Sequence, residues 1–425
     1  IDPTLFQRDY LASTAEGDLS FMVPLMASVI RVTGMDIERL YFLLYFIFRW
    51  FILIAVYQLS FTLTRSRPAA LLAALILSLP KFIAGTNSPT LDNAWLPRFF
   101  ALPLLLLSLN YLAKHQFIIS AFLTGLVFII HPYSGIYLGS FLLVYLLASH
   151  QSWQTWFKVV VSGLVSSGWF ISALMPQYLS RNSQLIMDTD WFGIVSQRLP
   201  YNLIAHWPVN AWIALLIPLM GIYFYRSRLL IVAVVTAIII TLIHIIFGEI
   251  FKLAFIFQLQ LPRIWLIPTY FGYIAWAKVL TRRWILIPLT LVLFFNFGKF
   301  RSGSIEWPHT YAREWDKLQV WVAANTPVNA LFITPPTRIG FRIRSHRAIV
   351  AEIKDGSSGL YSRPLAYSWA ERVSDLGLFD TKTTTEIRFL RQKYNADYLV
   401  AFSNSIYKDF TPVFRTDTFV IYQLP

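Results

Sequence analysis

The chain has no cysteine, which excludes disulfides, thiolate metal centres and cysteine nucleophiles and leaves no thiol record of redox compartment. Acidic residues are sparse through most of its length. The first 300 residues hold only ten: Asp2, Asp9, Glu16, Asp18, Asp36, Glu38, Asp92, Asp188, Asp190 and Glu249. Charged residues of either sign amount to 14%, against 56% hydrophobic and 17% aromatic residues, too apolar for a soluble domain of 425 residues. Glycine-rich phosphate loops, nucleophile elbows and His-Glu metal signatures are missing, so nucleotide-driven chemistry has no visible basis. Internal repeats and low-complexity tracts are missing too, which excludes a solenoid and removes support from a repeat-built transporter.

What is present predicts a polytopic α-helical membrane protein. Ten apolar runs are read as spans, with a lost first helix making ten or eleven: Leu40 to Leu63, Pro68 to Ala84, Leu96 to Ala113, Phe117 to Ile130, Tyr133 to Ser149, Trp156 to Pro176, Val209 to Tyr225, Leu229 to Phe247, Ile264 to Leu280 and Trp284 to Phe297. Phe117 to Ile130 and Tyr133 to Ser149 meet at His131-Pro132, and are short enough to form a re-entrant pair instead. The gaps between runs alternate in charge. Arg65 to Arg67, Lys114-His115, His150 to Lys158, Arg226 to Arg228 and Lys278 to Arg283 are basic and acid-free, and the intervening gaps carry every acid. Positive residues mark cytoplasmic loops, so the acids and the segment after Arg301 are expected outside a bacterial inner membrane. The net charge of +14 then reflects topology and anionic lipid rather than nucleic acid. Chain start at Ile1, with no signal-type segment ahead of Asp2, suggests a leading helix upstream.

Three blocks follow: 1–39, an outer loop with an interfacial helix at Phe21 to Ile30; 40–300, the membrane domain; and 301–425, an extracytoplasmic α/β domain. In the last block, helix-like runs (Arg313 to Asn325, Thr384 to Tyr394) alternate with strand-like ones (Ala330 to Thr334, Asp397 to Phe402, Thr418 to Gln423). Pro327 closes the first helix at Asn325.

Candidate chemistry lies at the outer loops. Asp9, after Arg8, is a carboxylate at the membrane edge and suits a general base; the competing role is turn capping and a pair with Arg8. Asp92 and Arg98 stand within two turns where a helix starts, as a second acid with an anion contact or as an ion pair with a snorkelling arginine. Arg263, in Leu261-Pro262-Arg263-Ile264-Trp265, places a guanidinium beside apolar and aromatic residues. That suits a lipid-linked phosphate, or an Arg-Trp interfacial anchor. Glu249, in the same outer segment, and Arg8 are further candidates for contact with the substrate or its lipid phosphate. His131 is a phosphate contact or a structural group at a helix junction. Arg49, mid-span, calls for a carboxylate or carbonyl partner. Asp188 with Asp190 offers oxygen ligands for a divalent cation but lacks companions. In the tail, Arg338, Arg342, Arg344 and Arg347 form a basic strip; on a strand, Arg342 and Arg344 share a face, facing lipid phosphate, an anionic glycan or solvent.

The acidic first loop, the Pro97-Arg98 helix start after a second acidic loop, the His131-Pro132 junction, the late Arg263 and the α/β tail resemble the GT-C class of membrane glycosyltransferases. Trp321-Val322-Ala323-Ala324-Asn325-Thr326-Pro327, Ala330-Leu331-Phe332-Ile333-Thr334-Pro335-Pro336, Gly340-Phe341-Arg342, Ser345-His346-Arg347, Tyr394-Asn395-Ala396-Asp397-Tyr398-Leu399-Val400 and Phe419-Val420-Ile421-Tyr422-Gln423-Leu424 are similar to an uncharacterised group of bacterial, largely cyanobacterial, GT-C-like proteins. The resemblance implies inverting transfer of a sugar from a polyprenyl-phosphate donor to a glycan, lipid or protein acceptor outside the membrane. Asp9 would be the base, Arg263 would hold the carrier phosphate with Arg98, and Asp92 would orient the acceptor or an ion. The class's paired first-loop acids are not adjacent here, because Arg8 precedes Asp9. A transporter or flippase of a lipid-linked solute and a non-catalytic membrane scaffold are the rival expectations.

Overall fold

The computed structural model describes residues 5–11, 21–84, 86, 88–92, 96–173, 185–282 and 310–425. Asp2, Glu16, Asp18, the run from Trp284 to Phe297 and the start of the tail lie outside them. The chain divides into two compact units, each discontinuous in sequence: unit 1 is Ile1–Asp18, Asp188–Leu199 and Ser304–Pro425, and unit 2 is Leu19–Met187 and Pro200–Gly303. The expected outer loop 1–39 is therefore shared, its first residues folding with the C-terminal region and its helix with unit 2.

Unit 2 is helical. Its elements run α1 (Met22–Thr33), α2 (Ile37–Thr64), α3 (Arg67–Leu77), the two-residue strands β1 (Phe82–Ile83) and β2 (Ser88–Pro89), α4 (Pro97–Ala113), α5 (Phe117–Ile130), α6 (Pro132–Ala148) and α7 (Trp153–Ala173). After α8 (Thr189–Arg198), which belongs to unit 1, come α9 (Val209–Phe224), α10 (Arg228–Ile243) continuing as a π-helical turn over His244–Ile250, α11 (Ala254–Gln258), a 3-10 turn over Leu261–Trp265 and α12 (Leu266–Leu280).

The expected ten or eleven spans are not found. Among the described residues only two helices, Ile37–Thr64 and Arg228–Ile250, are long and apolar enough to cross a membrane. The apolar runs that fall on described residues do become helices, but six of these hold only 11–17 residues. A 14-residue helix such as α5 rises only about 21 Å, short of the roughly 30 Å hydrocarbon layer. Local sequence explains the breaks. His131 is extended (φ −145°, ψ 91°) ahead of Pro132, ending α5 and capping α6. A side chain at Gly135 would stand 2.4 Å from the Phe128 Cα, so the two helices touch backbone to backbone there. α12 is buried nearly all round, a core helix rather than a lipid-facing one.

Unit 1 is a five-stranded mixed sheet between helices, in strand order β4 (Ala348–Ile349), β3 (Leu331–Ile333), β5 (Tyr398–Phe402), β7 (Phe419–Gln423), β6 (Thr411–Arg415). The first two pairings are parallel and the last two antiparallel. Side chains alternate between faces with period two. Leu331, Ile333, Leu399, Ala401, Val420 and Tyr422 pack on one face with α15 (Arg363–Leu376) and α16 (Thr384–Tyr394). Phe332, Val400, Phe419 and Ile421 pack on the other with α13 (Thr310–Asn325). The three strand-like runs and two helix-like runs read from the tail therefore coincide with β3, β5, β7, α13 and α16. The basic strip does not form a strand: Gly340, at φ +83°, starts the short helix α14 (Phe341–Ser345).

Candidate functional site

Each unit contains one arginine-centred polar group, and they are built differently. In unit 1 the centre is Arg342. Its Nε and Nη2 donate to Asp9 at 2.7 and 3.1 Å, and its Nη1 and Nη2 donate to Asp355 at 2.9 and 3.0 Å. Asp9 also accepts from the Leu11 and Ile349 backbone N–H groups at 3.0 and 3.2 Å. The Tyr10 hydroxyl donates to Asp355 at 3.0 Å, and the Arg372 guanidinium lies 4.6 Å from the Tyr10 ring centroid. Glu352 stands 3.8 Å from Arg342 and accepts from the Gly340 N–H. Glu352 and Asp355 form a reciprocal capping box at the turn Ile353–Leu360. Gly356 is required there, since a Cβ would come within 2.4 Å of the Trp369 ring.

Burial and charge shape the acid–base behaviour of this group. Desolvation and the neighbouring Asp355 carboxylate push the Glu352 carboxyl above its usual range and the Tyr10 phenol far above its own. Burial works against the Arg342 charge, but hydrogen bonds to Asp9 and Asp355 hold its proton still more firmly than usual.

Asp9 is fully buried, and each of its oxygens already accepts two hydrogen bonds. A carboxylate so enclosed has no free lone pair for an acceptor hydroxyl. Its partner is Arg342 and not Arg8. Arg8 donates instead to Asp397 at 2.6 Å and to the Asn329 carbonyl at 3.2 Å. Both residues fasten the first segment to unit 1. Of the rest of the basic strip, Arg347 is buried and bonds the Ala323 and Thr326 carbonyls, Arg344 lies 3.5 Å from Asp316, and the Arg338 guanidinium lies 5.7 Å from the Phe402 ring centroid.

Asp188, read as a cation ligand, caps α8 through the Trp191 N–H at 2.8 Å, pairs with Arg363 at 2.6 Å and accepts from the Tyr367 hydroxyl at 2.9 Å. The Trp191 N–H first, then Tyr367 and Arg363, lower its carboxyl below the usual range. Among the described residues no three His, Asp or Glu side chains gather as a metal site.

Unit 2 brings together the other residues singled out from the sequence. Arg98 grips Asp92 with two donors, its Nε at 2.7 Å to Oδ2 and its Nη2 to Oδ1, while its Nη1 reaches the Ser88 hydroxyl at 2.5 Å. Asp92 is buried, and this bidentate pair neutralises Arg98. His131 lies within electrostatic reach of both Arg98 and Arg263. Its Nδ1 accepts from the Ser134 N–H at 3.2 Å, which assigns the ring proton of the neutral form to Nε2. Arg263 lies within the 3-10 turn Leu261–Trp265, 5.9 Å from the Tyr201 ring centroid. Its Nε is buried, and among the described residues no hydrogen bond or ion pair holds it. Glu249, in the π-helical turn, accepts from the Ile204 N–H at 2.9 Å and so positions the 200–207 segment. Such turns recur at functional sites. Arg49 is satisfied by the Tyr45 hydroxyl and by the Ser78 carbonyl at 2.9 Å.

Sequence reasoning did not single out Tyr201, Asn202 or Gln260. Gln260 carries one local sign, a positive φ of 49° in a residue that is not glycine, which is invisible in sequence. Asp355 and Glu352 were missed as well, since Lys354-Asp355-Gly356 reads as an ordinary turn.

In comparison with protein families, residues 313–376 match a domain of unknown function, DUF6798. The matched stretch holds Arg342, Glu352 and Asp355, whereas Asp9 and Tyr10 come from outside it. The comparison with curated proteins returned no match.

Proposed function

We propose that unit 2 is lodged in a bacterial inner membrane and that the chain transfers a sugar from a polyprenyl-phosphate carrier to an acceptor hydroxyl on the outer face. Lipid surroundings are supported by the apolar side chains that unit 2 leaves uncovered. Phe42, Phe46, Trp50 and Ile54 form an exposed row on α2, and Val235, Ile238, Ile239 and Leu242 do so on α10. Among the described residues these are the two helices of spanning length.

The observation that carries the reading is Arg263: a guanidinium with a buried Nε and no hydrogen-bond or ion-pair partner among the described residues, within electrostatic reach of His131, which also feels an Arg98 already neutralised by Asp92. A cation in that condition lacks an anion, and a phosphate ester satisfies it bidentately while its lipid chain remains in hydrocarbon. In the transfer step the acceptor oxygen bonds to the anomeric carbon as the anomeric carbon–phosphate oxygen bond breaks. The leaving electron pair goes to the phosphate held by Arg263, the acceptor proton goes to Asp92, and backside attack inverts the sugar. Arg263 acts most strongly on the charge that develops as the phosphate departs. Asp9 has no part in this scheme, because its carboxylate is fully bonded within unit 1.

The test is binding of a polyprenyl phosphate to the full chain in lipid nanodiscs. Arg263→Ala is expected to weaken binding about 10- to 100-fold, the worth of a lost charge-assisted contact of about 1.5–3 kcal/mol. Equal binding by the variant would overturn the assignment.

A further inference from the structure

Buried side-chain atoms without partners are few in a native fold, and each needs an explanation. Among the described residues of unit 2, apart from single atoms on Ser60, Ser149 and His244, they lie on two segments, 200–207 and 258–263. Both side-chain atoms of Asn202, Oε1 of Gln260 and Nε of Arg263 are buried with no hydrogen-bond partner, and Asn202 and Gln260 are only 1% and 6% exposed.

The backbone around these atoms, by contrast, is fully engaged. The Asn202 carbonyl is bound by His244 Nε2 at 2.8 Å, the Gln260 carbonyl accepts from the Arg263 N–H and the Tyr137 hydroxyl at 3.0 Å each, and the Tyr201 carbonyl accepts from Trp207 Nε1 at 3.0 Å. The Tyr201 ring faces Arg263, and Trp207, Leu259, Leu261 and Trp265 share one apolar cluster behind the segments. The main chain of 200–207 and 258–263 is thus fixed in place while the polar side-chain atoms it presents remain unused. Gln260 is held in a left-handed backbone conformation that is uncommon for a residue other than glycine.

Resting on the reading of Arg263 as the phosphate site, we infer that Asn202 and Gln260 form a sugar-recognition subsite that binds hydroxyl groups of the carrier's glycosyl headgroup next to the phosphate. Two neutral amides offer donors and acceptors together, which matches sugar hydroxyls, themselves both donor and acceptor. An apolar lipid would leave these atoms unpaired, and a second anion would meet amide oxygens. Sites of this kind discriminate strongly, since a ligand lacking the hydroxyl leaves buried polar groups unsatisfied.

The experiment compares two probes on the full chain in nanodiscs, a bare polyprenyl phosphate and a polyprenyl-phosphoryl hexose, using wild type, Asn202→Leu, Gln260→Leu and Arg263→Ala. Wild type is expected to prefer the glycosylated carrier roughly tenfold or more. Each leucine variant should bring that ratio near one with affinity for the bare carrier unchanged, and Arg263→Ala should weaken both probes. Asn202→Leu is close in shape and loses no protein hydrogen bond, so its thermal midpoint without ligand should equal or exceed wild type. A lowered midpoint would assign the amide a structural role and overturn the inference. An unchanged ratio in the leucine variants, with Arg263-dependent binding intact, overturns the subsite alone. Failure of wild type to bind either probe overturns the phosphate reading and the subsite with it.

Discussion

Arg342 in unit 1 and Arg263 in unit 2 are both partly buried arginines, and they differ in what their surroundings supply. Arg342 is met by Asp9 and Asp355 in two bidentate pairs, with Glu352 close behind. Arg263 meets a tyrosine ring and a histidine, and no carboxylate among the described residues. A buried charge whose hydrogen bonds are all made contributes to holding the fold, and its removal strands its partners. A buried charge left open is costly to the fold alone, and it becomes favourable when a ligand completes it. Placement in sequence gives no hint of this difference, because each arginine is flanked by apolar residues.

The comparison breaks most sharply at Arg342. Replacement by Met leaves Asp9, Asp355 and Glu352 together in a poorly hydrated space. The opening free energy of unit 1 should fall by about 3–5 kcal/mol, read as faster hydrogen exchange at the β3 and β5 amides. Arg263→Met should leave those amides unaffected. Equal exchange in wild type and the Arg342 variant would mean the network holds nothing.

A middle-sized effect sharpens the contrast from the other side. Asp92 neutralises Arg98, so Asp92→Asn should turn Arg98 into a second open guanidinium. Affinity for a polyprenyl phosphate should rise about tenfold, near 1.4 kcal/mol, while sugar transfer is lost with the proton acceptor. Weaker phosphate binding in this variant would show that Arg98 faces away from the ligand.

Much of unit 1 was legible from its pattern. Strands β5 and β7 are nearly continuous apolar runs, as strands buried on both faces are, and Thr383 with Glu386 caps α16 in the Thr-x-x-Glu spacing of a capping box. The membrane reading overshot because composition records apolar length but not where a helix stops. Pro97 and Pro132 each open a new helix, and α12 hides its apolar faces inside the unit rather than turning them to lipid. The site was legible in part. Asp92, Arg98, His131 and Arg263 do share unit 2, since a helix start, a proline junction and an arginine beside tryptophan are local signals. Asp9 was misjudged because its partners lie 333 and 340 residues away, a separation no local pattern records. Arg342, whose strip left strand geometry open, stands on a short helix that Gly340 starts.

The smallest effect concerns Glu352, where the saturation of the Arg342 group is incomplete. Burial first, and then the Asp355 charge, raise its carboxyl above the ordinary glutamate range. A raised folded pKa means the folded chain holds that proton more tightly than the unfolded chain. Its contribution to stability is therefore fully present below the unfolded value of about 4.3 and is lost as pH rises through the folded value. Glu352→Gln keeps an oxygen for the Gly340 N–H, now 2.9 Å away, and removes the titration. Protection of the β3 amides, corrected for intrinsic exchange, should match wild type near pH 4 and exceed it at pH 7 to 8, by a fraction of the Arg342 effect. Lower protection in the variant at pH 7 would mean that the Glu352 charge is drawn on by Arg342 across their 3.8 Å separation, and that the group requires all three of its carboxylates ionised.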